Sequence, residues 1–129
     1  MKAEIKSSNI FGLHDFRERS VNPALEDLED WVPADPEVFT FGLQLIVGAE
    51  GAEGEDSFDI NVVTPKWLLF NSEEKIFIGR HYLIMLSFNF ERLRNYIASY
   101  IETCTGDTWL EVAEKLGRLG KWEFEDYRE

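Results

Sequence analysis

The chain has 129 residues, 44% hydrophobic and 14% aromatic, enough for a core and too apolar for a disordered segment. Twenty-five acids oppose thirteen bases, and the net charge of −12 argues against nucleic acid or an anionic membrane as a partner, since both would repel it. A lone cysteine, Cys104, excludes an internal disulfide framework, and no run approaches the ~20 apolar residues of a spanning helix. With no apolar leader at the start, the expectation is a single soluble domain over residues 1–129 in a reducing cytoplasm.

Residues 2–11 read as a first strand, with Ala3, Ile5 and Ser7 alternating with Glu4 and Lys6. Residues 14–37 are irregular and punctuated by Pro23, Pro33 and Pro36. Within them Leu25, Leu28 and Trp31 recur at three-residue spacing, which predicts one or two short helical turns anchored on the core. Residues 38–47 are the clearest strand, with Phe39, Phe41, Leu43, Leu45 and Val47 on one face. Residues 58–63 repeat the pattern with Phe58, Ile60 and Val62. The glycine-rich acidic link between them, 48–55, makes an antiparallel hairpin the default.

Thr64 and Pro65 form a helix start, because the hydroxyl caps and proline at the first helical position leaves no amide unpaired. A short helix over 66–70 follows, with Trp67 and Leu68 directed at the sheet. Residues 76–78 read as a short strand. Residues 80–88 read as a firmer one; both of its faces are apolar, so it should sit centrally, covered on both sides or by a partner. Asn89 caps a helix carrying Phe90, Leu93, Ile97, Tyr100, Ile101 and Cys104 at three- and four-residue steps. Thr108 and Glu111 match a capping box, and Gly120 is placed to end the helix they begin. The two helices should fold back on each other. Trp122 and Phe124 alternate, which suits a terminal strand or a docked extension. Strands first and long helices last predict an α+β fold: an antiparallel or mixed sheet with two C-terminal helices packed on one face.

The acids are clustered. Glu26, Asp27, Glu29, Asp30, Asp35 and Glu37 occupy residues 26–37 with no base among them. Glu50, Glu53, Glu55, Asp56 and Asp59 occupy residues 50–59, again with no base. These two segments carry eleven of the twelve net negative charges. One reading is a pair of solvated loops kept acidic for solubility. The sharper reading is a negative surface that steers a basic partner, with Trp31 as an exposed aromatic anchor.

Catalytic signatures are missing from the sequence. His14 and His81 are far apart, and His81 within the 80–88 segment reads first as a packed, hydrogen-bonded residue. Cys104 falls on the apolar face of a helix, where a thiol is usually a small buried hydrophobe. There is no G-x-S-x-G elbow and no phosphate-binding glycine loop, and the 50–59 acids lack the ligand spacing of a calcium loop. The sequence therefore supplies no catalytic residue, no metal ligand and no cofactor. Two readings from other classes stay open. One is an acidic metal-binding or small hydrolytic domain using His81 or the glutamate-rich loop. The other is a self-associating structural module using the 80–88 segment or the tail.

Six segments in order carry a family resemblance: Val32-Pro33-Ala34-Asp35-Pro36-Glu37, Thr64-Pro65-Lys66-Trp67-Leu68, Gly79-Arg80-His81, Glu102-Thr103-Cys104, the run from Trp109 to Leu116, and Trp122-Glu123-Phe124-Glu125-Asp126-Tyr127. Together they resemble the immunity protein 8 family of bacterial polymorphic toxin systems, over about Lys2 to Tyr127. Residues 14–24 match no part of it. The resemblance implies a small α+β protein, not an enzyme, encoded beside a toxin gene. It implies that the protein binds and neutralises the toxin's C-terminal domain. It does not fix the toxin, and it brings no catalytic residues. A nuclease toxin is basic where it holds phosphate, so the acids of 26–37 and 50–59 would suit such a target.

Overall fold

Alternation decides the centre of the sheet. In this computed structural model, which describes residues 1–13 and 23–126, β2 (Thr40–Ala49) and β3 (Asp56–Val63) pair antiparallel. Phe41 lies opposite Val62, Leu43 opposite Ile60 and Leu45 opposite Phe58, and all six are buried. A period of two sends Gln44, Asp59 and Asn61 to the other face. β1 (Ala3–Phe11) joins the free edge of β2 antiparallel, with a register shift between Ile5 and Ser7. On the far side of β3 lie two short strands. β4 (Tyr82–Ile84) runs parallel to residues 61–63, and β5 (Lys121–Trp122) runs antiparallel to Phe58 and Asp59. The five-stranded sheet is therefore mixed, in the order β1-β2-β3-β4 with β5 also on β3.

Two helices cover the apolar face. α2 (Phe90–Thr103) buries Phe90, Leu93, Ile97 and Ile101, and α3 (Trp109–Leu116) buries Val112, Ala113 and Leu116. These side chains join the sheet residues in one hydrophobic cluster. The chain is α+β with both C-terminal helices on one face. Asn89 Oδ1 accepts the amide of Arg92 at 3.0 Å, capping α2. Thr108 Oγ1 accepts the amide of Glu111 at 3.2 Å, while the Glu111 carboxylate reaches back to the Asp107 amide at 2.8 Å. The box thus closes one residue ahead of the cap. Lys115 Nζ reaches the Thr105 carbonyl at 2.6 Å and Tyr100 Oη the Lys115 carbonyl at 3.4 Å, which ties α3 back to the end of α2. No helix among the described residues is long and apolar enough to cross a membrane.

Thr64 ends the sheet and starts α1 (Pro65–Asn71). Its hydroxyl accepts the amides of Trp67 and Phe39, each at 3.2 Å, so this fully buried polar side chain is satisfied at the junction. The turn has a consequence for the next strand. β3 offers β4 no partner beyond Val63, so the 80–88 segment pairs over only three residues. It is an edge strand, not a centrally covered one. His81, just before it, holds a left-handed φ of 66°, which also breaks extended structure there. Residues 76–78 have no strand neighbour and form no strand. α3 ends at Gly117, earlier than Gly120. Gly120 instead lies where the chain crosses β3, and a Cβ there would come within 2.9 Å of Ile60 Cγ1.

The expected helical turns over Leu25, Leu28 and Trp31 are a 3-10 helix, Leu25–Asp30, with Leu25 and Leu28 buried. Trp31 is not an exposed anchor, as its exposure is 8%. Its ring meets Phe39, Phe41 and Phe88 edge-on, with centroids 5.7, 5.9 and 4.7 Å away. Three phenylalanines on one side of an irregular stretch bury more apolar area than solvent exposure would leave. His14, the rest of residues 14–22 and Tyr127 lie outside the described residues. Trp31→Ala should destabilise the fold by about 3 kcal/mol, because a buried indole is lost and its cavity cannot collapse on rigid strand residues. Urea denaturation of the two proteins measures it, and a loss under ~1 kcal/mol would mean the cluster repacks.

Candidate interaction surface

Asp35 and Glu37 fall at one end of the hairpin, and Glu50, Glu53 and Glu55 at the other. The ten residues of β2 span roughly 30 Å. At its first end, the Phe88 amide bonds the Pro36 carbonyl at 2.7 Å and the Thr64 amide bonds that of Phe39 at 3.1 Å. Asp35 and Glu37 are exposed there, with Glu37 paired to Lys66 of α1. The 3-10 helix lies alongside β1, since the Leu25 amide donates to Ser8 Oγ at 2.8 Å and the Ile10 amide to the Pro23 carbonyl at 2.6 Å. Glu26, Glu29 and Asp30 point to solvent from it. Asp27 is half-buried, and its carboxylate accepts the Ala24 amide at 2.8 Å. At the other end of β2, Glu50, Glu53 and Glu55 are exposed on the hairpin tip. Asp59 stands mid-strand, opposite Gln44. The acids flank the sheet instead of merging into one patch.

Asp56 has a different job. Its Oδ2 accepts two indole N–H groups, Trp109 Nε1 at 2.7 Å and Trp122 Nε1 at 3.0 Å. One carboxylate thus ties the hairpin to α3 and to β5. Trp122 also stacks on Phe58, with ring centroids 6.5 Å apart. Next to it the Ser57 amide donates to Glu123 Oε1 at 2.8 Å, and Lys6 Nζ reaches the Ala52 carbonyl at 3.1 Å. The tip is held from three directions. Asp56→Ala should cost about 2 kcal/mol, because two part-buried indole donors lose their acceptor. Asp56→Asn keeps one acceptor oxygen and should cost less. Thermal unfolding of both variants checks the order, and equal losses would mean that a neutral amide oxygen cannot stand in for the carboxylate.

A second cluster closes the tail. His81 Nε2 lies 2.8 Å from the Gly117 carbonyl and 3.1 Å from Glu125 Oε1. Arg80 reaches both oxygens of Glu125, Nε at 3.3 Å and Nη2 at 3.1 Å. The imidazole is packed and hydrogen-bonded, as its sequence context suggested. The Arg80 hydrogen bonds hold the Glu125 carboxyl below the usual carboxylate range, with the charges of His81, Arg80 and Lys121 adding to the effect against some burial. A depressed carboxyl stabilises the fold above its unfolded pKa of about 4.3, and that contribution disappears as pH falls through the lower folded value. Glu125→Gln should therefore lower the melting temperature near neutral pH. The gap to wild type should close below about pH 4. A gap independent of pH would mean that charge is not involved.

Cys104 is buried, and burial pushes its thiol pKa up, away from a reactive thiolate. Among the described residues no group of three or more His, Cys, Asp or Glu side chains is placed to hold a metal ion.

One further depression is apolar, and sequence reasoning did not place it. β4 and the start of α2 line a groove of about 440 Å³, with Leu83, Met85, Leu86, Leu93 and Tyr96 in its walls and Arg92 as its cation. Tyr82 links it to a shallower hollow with Trp67, Leu68 and Phe77, and the Tyr82 and Phe77 rings stack at 5.8 Å. α1 has no fully buried residue, so Trp67 and Leu68 are only half-covered. The one signal in the sequence was the double-sided apolar pattern of 80–88, which called for cover that the fold does not supply.

Fold and surface together define a small acidic α+β protein whose prominent features are exposed charge and exposed apolar groups. Its sequence matches the pattern of immunity protein 8 over residues 16–127, so the match begins later than Lys2 and takes in residues 16–24, which the sequence resemblance leaves out. The chain belongs to the immunity protein 8 family, a family of immunity proteins of toxin systems. Neither the curated proteins nor the solved structures compared with the chain gave a match.

Proposed function

We propose that this protein binds the C-terminal toxin domain of a cognate bacterial polymorphic toxin and neutralises it in the cytoplasm of the producing cell, by occupation and not by catalysis. The observation that carries the reading is family membership over almost the whole chain. The charge distribution supports a basic target, such as a nuclease domain that must hold phosphate. Glu26, Glu29, Asp30, Asp35 and Glu37 on one side, with Glu50, Glu53 and Glu55 on the other, are all exposed. Acids of this kind at an interface rim act mainly on encounter, raising the association rate and making it salt-sensitive. Trp31 and Asp56 are better kept out of that set, because one is packed in the core and the other is engaged by two indoles.

Growth rescue tests the reading. The toxin domain encoded next to this gene is expressed with and without this protein, and survival is followed. Rescue is expected, and its failure with both proteins folded would overturn the immunity assignment. Charge reversal at Glu29, Asp30, Glu53 and Glu55 should then slow association about tenfold at low salt and flatten its salt dependence. An unchanged association rate would leave immunity standing and remove acidic steering.

A further inference from the structure

Of the thirteen exposed large hydrophobic residues among the described ones, seven lie between positions 69 and 86. Ile76 is 90% exposed, Ile78 85%, Leu86 78% and Ile84 55%. Leu69 and Phe70 of α1 add two more, each well over half exposed. At on the order of 100 Å² apiece, the six supply most of the roughly 800 Å² that one side of a standard protein interface covers. Leu69, Ile84 and Leu86 share one stretch of surface, and Phe70, Ile76 and Ile78 adjoin it in the chain. Leu69 borders a hollow with Phe77, Phe77 stacks on Tyr82, and Tyr82 opens onto the groove that holds Ile84 and Leu86. Solvent-exposed apolar patches beyond a few hundred Å² mark interaction sites.

Charge selects the occupant. A second copy of this chain brings another −12 and is repelled at the contact. A basic protein meets no such barrier. At one border of the apolar surface stand Glu73 and Glu74, and at another Asp35 and Glu37, where the Phe88 amide bonds Pro36 beside the groove. The bases nearby offset only part of this: Lys66 pairs with Glu37 and Arg80 with Glu125, while Lys75 and Arg92 line the surface itself, against Glu73, Glu74 and Asp35. An apolar centre with a charged rim is the anatomy of an interface core.

We propose that the α1–β4–α2 apolar surface is the centre of the interface with the basic toxin domain and sets how long the complex lasts, while the acids set how fast it forms. The proposal rests on the immunity reading above. It predicts a division of effects, because desolvated apolar anchors act on dissociation and rim charges on association. Leu86→Asp and Ile76→Asp both alter strongly exposed positions outside helices and strands, so folding should survive each; circular dichroism confirms it.

The experiment measures association and dissociation rates of the full-length protein with its toxin domain at two salt concentrations. Expected is a dissociation rate at least tenfold faster for Leu86→Asp and several-fold faster for Ile76→Asp, with the salt dependence of association no weaker than in wild type, since each variant adds a carboxylate. Wild-type dissociation rates in both folded variants, with tight wild-type binding, would overturn this proposal alone. A wild-type dimer in sedimentation that Leu86→Asp converts to monomer would overturn it in favour of a second copy. No wild-type binding would overturn the immunity reading and this proposal together.

Discussion

The eight residues of β3 are the constraint on which the other elements depend. One edge of the strand is committed in full to β2, and the other is divided between β4 at its C-terminal end and β5 at its N-terminal end. Its inward side chains, Phe58, Ile60 and Val62, meet those of β2 beneath α2 and α3. A one-residue slip would turn this apolar set outward, so the register is held by the whole core. Its length matters too. Because Thr64 and Pro65 turn the chain into α1, β3 stops at Val63 and β4 has nothing more to pair with. The short strand, the uncovered groove and the bare apolar residues around it follow from that turn.

The acidic and apolar surfaces are physically different instruments. Exposed carboxylates act over a Debye length of about 8 Å at physiological salt, and lose reach as salt rises. An apolar contact acts only after water leaves. The 30 Å hairpin that separates the acidic ends is therefore well suited to orient an approaching basic surface at two points, leaving the lateral apolar face to make the close contact. Asp56 illustrates why counting charge is a poor guide to such a surface, since it counts as an acid in the sequence but is committed to two tryptophans in the fold.

Most of the frame was legible in the sequence because it rests on local periodicity. The hairpin, the Asn89 and Thr108 caps, the helix after Pro65 and the apolar faces of α2 and α3 are written in spacings of two, three and four residues. The extent of β4 was not, because it is set by where β3 ends and not by anything in residues 80–88. Trp31 reads as exposed from its acidic neighbours, yet Phe39, Phe41 and Phe88 come from elsewhere in the chain to bury it. The indole clamp on Asp56 joins residues 53 and 66 positions apart, a distance that no local pattern spans. Among the residues singled out as partner contacts, the exposed acids keep the accessibility expected of them, whereas the groove appears only when the fold leaves it uncovered.

The shared carboxylate of Asp56 has an optical consequence. Two of the four tryptophans report on a single oxygen at the hairpin tip, while Trp31 reports on the sealed aromatic core at the opposite end. A ligand that pulls on the tip changes the emission of Trp109 and Trp122 together and leaves that of Trp31 alone. The protein thus carries an unlabelled optical probe of its hairpin tip.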